Sequence, residues 1–125
     1  MKPAILILLT CIALSVHAQD RNQDKTQAAL KQFNAADAEL SRVYKECLAY
    51  PNAGVQTVNA LQETQRRWVD FRDINAVAYT GKGSGNTIYD SYYWYAMTVV
   101  TKDRIKELKQ LFLSPNHNKP SMANE

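Results

Sequence analysis

One segment constrains the fold more than any other: Gln65-Arg66-Arg67-Trp68-Val69-Asp70-Phe71-Arg72-Asp73. It lies in a stretch of helical period and sets Gln65 and Arg72 on the same stripe as Leu61, Trp68 and Tyr79. A helix that turns an arginine toward its neighbours must find that charge a partner, because an unpaired buried charge is too costly to keep. The segment therefore reads as the central helix of a small bundle with a polar group in its core.

The N-terminus sets the compartment. Lys2 is followed by the apolar run Ala4 to Leu14, and Val16-His17-Ala18 stands directly before the polar Gln19-Asp20-Arg21. One positive charge, a short apolar core and small residues at −3 and −1 are the marks of a secretory signal peptide, too short for a membrane span. Cleavage is expected after Ala18, with residues 1–18 the signal peptide. Lipidation would require Cys11 as the mature N-terminus, but Thr10 precedes it and apolar residues follow. The expected product is periplasmic or secreted and carries no stable membrane anchor.

The mature chain keeps a near balance of charge, since Lys2 accounts for one unit of the formal +3. A nucleic-acid binder would show a dense basic face. Only Cys47 survives processing, so the domain must hold together by helix packing without an internal disulfide. With His17 lost in processing, the one remaining histidine, His117, and no cysteine cluster leave zinc or iron without a ligand set, and no cofactor is expected.

Three helices follow from the apolar spacing. Leu30, Phe33, Leu40, Tyr44, Cys47 and Leu48 recur at helical intervals and predict a first helix over about 22–49, ending before Pro51. Val58, Leu61, Gln65, Trp68, Arg72, Ala76 and Tyr79 predict a second from about Val55, ended by the glycines of Thr80-Gly81-Lys82-Gly83-Ser84-Gly85-Asn86. Thr87 with Asp90 reads as a capping box opening a third. That helix carries Ser91, Trp94, Thr98, Thr101, Ile105, Leu108 and Phe112 on one stripe and ends at Ser114-Pro115. Lys102, Lys106 and Lys109 fall on its solvent face. The fold expected is all-α, an antiparallel up-down-up three-helix bundle over residues 19–113, followed by a disordered polar tail over 114–125.

Polar residues within these stripes are the candidate core network. Asp37 lies seven residues from both Leu30 and Tyr44, on the apolar face, and folding the helices about their turns brings it within reach of Arg72. The same folding sets Gln65 level with Thr101, while Arg104 is placed to answer Glu63 or to extend the network. A structural pair that fixes helix register is the main reading of Asp37, Gln65 and Arg72; a small hydrolase using Asp37 as acid and Arg72 as clamp is the alternative. Cys47 is either a buried core thiol or, if exposed near the helix end, the site of an intermolecular disulfide.

The order of Ala36-Asp37-Ala38-Glu39-Leu40 with Val43-Tyr44-Lys45, then Gln65 to Asp73, then Thr101-Lys102-Asp103-Arg104-Ile105 with Leu108, resembles the LprI-like lysozyme-inhibitor family over about residues 25–112. The resemblance implies a small exported helical domain, not an enzyme, whose partner is a protein, lysozyme being the one named. An envelope or secreted interaction module with a different partner is the other reading. This chain departs from the family pattern of cysteines after the Arg-Asp of helix two and in mid helix three, where it has Ile74-Asn75-Ala76 and Tyr93-Trp94-Tyr95-Ala96.

A partner surface is expected at the glycine-loop end, where Lys82, Ser84, Tyr89, Tyr92 and Tyr93 converge with Tyr79 and Tyr95. So many aromatics cannot share one helix face, and tyrosines beside a basic loop have the composition of an interface. Lysozyme catalysis uses a pair of carboxylates, which a protruding Lys82 with Ser84 would complement.

Overall fold

The computed structural model describes residues 3–50, 54–81 and 91–114, with side-chain surroundings from Arg21 onward. All regular structure among these residues is helical: α1 spans Pro3–Leu48, α2 Val55–Thr80 and α3 Ser91–Phe112.

α1 begins at Pro3 rather than at residue 22. The reason is plain in the chain, which has no glycine and no proline from Ala4 to Leu48, so the apolar leader and the amphipathic segment propagate as one helix. Pro3 itself is tolerated in a first turn, where its missing N–H would have no intrahelical partner. The first described residue to join the core is Phe33. All the described core residues of α1 lie from Phe33 onward.

α2 occupies the span its sequence predicts. Gly81 closes it at φ +65°, in the left-handed region, and its N–H donates to the Val77 carbonyl at 2.8 Å. That is the single-bond αL cap that glycine forms without a Cβ penalty. The Thr87–Asp90 capping box and the residues beyond Ser114 lie outside the described residues.

Contacts fix the directions of the helices. Phe33 meets Trp94, and the Cys47 thiol lies 3.9 Å from the Leu108 carbonyl, so α1 and α3 run the same way. Leu61, near the start of α2, joins Cys47 and Leu108 in one core cluster, whereas Ala76, near its end, joins Phe33 and Tyr93 in the other. α2 therefore runs opposite to both.

The central element differs from the expectation. α3, not α2, packs closely on both neighbours, while α1 and α2 approach each other less closely. Residue size accounts for this. Buried Ala36, Val43, Thr98 and Thr101 are small and let α1 and α3 come close, whereas Phe33, Trp68 and Arg72 stand between α1 and α2. Serving two partners, α3 buries more than one stripe: Tyr93, Ala96, Met97 and Arg104 join Thr98, Thr101, Ile105 and Leu108. Tyr79, expected on the buried stripe of α2, is 64% exposed because it stands at the helix end, beyond the packed part of the bundle.

Candidate functional site

Two places concentrate polar or aromatic chemistry: a seam through the bundle and a cleft at its glycine-loop end.

The seam is built on Arg72. Its Nη1 donates to Asp37 Oδ1 at 2.8 Å and its Nε to Asp73 Oδ1 at 3.0 Å. Its guanidinium carbon lies 5.3 Å from the ring centroids of both Phe33 and Trp68. A delocalised, weakly hydrated cation suits such a place, since ring faces and two carboxylates replace its water. The pair predicted between Asp37 and Arg72 is present, but its members differ in burial: the Arg72 side chain is 11% exposed and that of Asp37 46%.

Arg104 makes the second half of the seam. Its Nε donates to Gln65 Oε1 at 3.1 Å and its Nη1 to Glu107 Oε2 at 2.7 Å, with its guanidinium carbon 6.0 Å from the Trp68 centroid. Trp68 is thus shared by two arginines. The expected contact of Gln65 with Thr101 is replaced by this one because the longer guanidinium reaches the amide from the next turn. Thr101 is fully buried and its hydroxyl has no hydrogen-bond partner among the described residues. Glu63 does not meet Arg104 either. It bonds Arg66 and Arg67 on its own helix, and these hold its carboxyl down at about 2.

Arg72 is held between two rings, and Asp37 and Arg72 line neither the cleft around Leu61 and Phe112 nor the one around Tyr79 and Tyr92. Cys47 is 1% exposed, and burial pushes its thiol up. A disulfide between chains would require the α1–α3 contact to open. On the surface, Glu39 links Arg42 to Lys109 of α3 at 2.7 and 3.0 Å, and the two cations hold its carboxyl at about 2. Lys109, expected on a bare solvent face, is therefore an inter-helix partner.

The cleft, about 430 Å³, is walled by Tyr79, Tyr92 and Tyr95 together with Lys25, Gln32 and Ser91. Ala28 and Ala29 complete its lining, their short side chains leaving the space open. The three tyrosines are 64, 67 and 57% exposed. Tyr93 is not among them. At 6% exposed it packs edge-on against Trp94 with ring centroids 5.0 Å apart, which removes it from the expected partner surface. It turns inward because it shares the spacing Tyr93, Met97, Thr101, Arg104, Leu108, a second buried stripe that the sequence also contains. Lys82, Ser84 and Tyr89 lie outside the described residues. The contribution of α1 was missed in the sequence, where Lys25 and Gln32 look like ordinary solvated positions; the signal was the pair Ala28-Ala29 between them.

The described residues make a small all-helical protein, three helices with an arginine–tryptophan seam and an aromatic end cleft. The chain belongs to the LprI lysozyme-inhibitor family, whose model matches residues 15–108 and so spans parts of all three helices. It is 28% identical over 116 residues to the uncharacterised protein YecT of Escherichia coli, covering 82% of this chain and 71% of that one. An uncharacterised protein of Rhizobium meliloti is 26% identical over 132 residues, covering 90% and 94%. No solved structure matches.

Proposed function

We propose that this chain is an exported, non-catalytic protein that binds and inhibits lysozyme. The family match across α1, α2 and α3 carries the reading. Export with cleavage after Ala18 is supported by Lys2, the short apolar run from Ala4 to Leu14 and Val16-His17-Ala18 before the polar Gln19-Asp20-Arg21. Among the described residues no helix is long and apolar enough to cross a membrane. The proposed contact with lysozyme is the glycine-loop end, through Tyr92 with Lys82, Ser84 and Tyr89, where the exposed Tyr92 ring supplies area and the lysine would complement the carboxylates of the enzyme.

Lysozyme hydrolysis of cell-wall substrate, measured against increasing purified protein, tests the proposal. Dose-dependent inhibition is expected, weakened about tenfold in Tyr92→Ala and in Lys82→Glu with melting temperatures unchanged. Unaltered hydrolysis by several lysozyme types would overturn it and leave the protein as an envelope interaction module for another partner.

A further inference from the structure

The end cleft has a chemistry of its own. Among the described residues its lining carries the Lys25 ammonium, the Gln32 amide, the Ser91 hydroxyl and three phenols, all able to donate, and no carboxylate. Sites that read the hydroxyls of neutral sugars need strong acceptors for those protons, and carboxylates are the usual ones. Such a described wall suits a ligand that presents acceptors, such as acetamido carbonyls and a carboxylate, and Lys25 is the charged group among the described lining residues that can meet an acid. The flat faces of Tyr79, Tyr92 and Tyr95 provide apolar platforms for the C–H faces of pyranose rings, and about 430 Å³ accommodates a short saccharide rather than a protein element.

We propose that this cleft binds a short acidic amino-sugar glycan, its rings stacked on the tyrosines and its carboxylate at Lys25. The inference rests on the cleft and not on lysozyme inhibition; the two are separable by experiment.

The test is titration of the purified full chain, followed by saturation-transfer NMR and calorimetry, with the N-acetylglucosamine–N-acetylmuramic acid disaccharide and with chitobiose as the neutral counterpart. The acidic disaccharide should bind about threefold to fivefold more tightly than chitobiose, and Lys25→Gln should erase that preference. Tyr95→Ala should weaken both sugars about tenfold. Both variants alter exposed residues, and circular dichroism verifies that they fold. Equal affinity for the two sugars, or a preference that survives Lys25→Gln, overturns the acidic assignment. No binding of either sugar overturns the whole proposal, and lysozyme inhibition persisting in that same preparation would show that it failed alone.

Discussion

Arg72 shows how unevenly an ion pair can be shared. Its guanidinium is buried between Phe33 and Trp68, whereas Asp37 remains half exposed. Truncating the arginine removes two ring contacts and leaves a cavity, but the carboxylate it abandons can be hydrated. Arg72→Ala should therefore cost about 2–3 kcal/mol, at the lower edge of what breaking a fully buried pair costs. Asp37→Asn should cost only about 1 kcal/mol, because Asp73 still holds the guanidinium at 3.0 Å. Urea midpoints of the two variants measure the asymmetry, and equal shifts would contradict it. Thr101 gives the opposite sign. Its buried hydroxyl has no partner among the described residues, so the near-isosteric Thr101→Val should leave stability unchanged or raise it by up to about 1 kcal/mol in the same urea titration. Asp37 and Arg72 were legible as partners because both are polar residues on otherwise apolar stripes. The failure of Thr101 to pair was not, since spacing places a residue on a face without telling how far its neighbour's side chain reaches.

At the scale of the element, boundaries follow from local chemistry where that chemistry is strong. The glycines after Thr80 mark the end of α2 as the sequence predicts, and Gly81 takes a left-handed conformation there. A Cβ added there would meet nothing within 4 Å, so the penalty for Gly81→Ala is one of backbone conformation alone. It should lower stability by about 1 kcal/mol, with Gly81→Asn milder, as thermal melts would show. The start of α1 was misplaced for a different reason. Composition changes from apolar to amphipathic near residue 19, but no helix-breaking residue accompanies that change. Along α3, the tyrosine-rich segment contains two overlapping helical stripes, and only packing decides that Tyr93 turns inward while Tyr92 and Tyr95 stay out.

For the whole molecule, surface charge ties stability to pH. Glu39 joins α1 to α3 through Lys109, and its carboxyl is lowered from 4.5 to about 2 by hydrogen bonds to Arg42 and Lys109. Glu63 is lowered equally by Arg66 and Arg67. A carboxyl whose pKa is depressed on folding contributes stability that is present above its unfolded pKa and lost as pH falls through its folded value. The melting temperature should accordingly hold from neutral pH to about 4.5 and fall between there and about 2. Glu39→Gln should flatten part of that fall, and added salt should shrink the effect because these groups lie at the surface. A melting temperature insensitive to acid over that window would show that the surface pairs contribute nothing measurable.

Local sequence determined the presence of three helices, the end of α2 at its glycines, the membership of Asp37, Gln65, Arg72 and Arg104 in a polar network, and the aromatic character of the glycine-loop end. These follow from helical period, glycine geometry and the need to pair a buried charge, all of which act over a few residues. Tertiary structure alone decided that α3 is the spine, that Gln65 answers Arg104, that Trp68 is shared by two arginines and that α1 supplies Lys25 and Gln32 to the end cleft. The physical reason is that each of these depends on the distance between helix axes. That distance is set jointly by small side chains on one pair of helices and large ones on another, a balance no single helix contains.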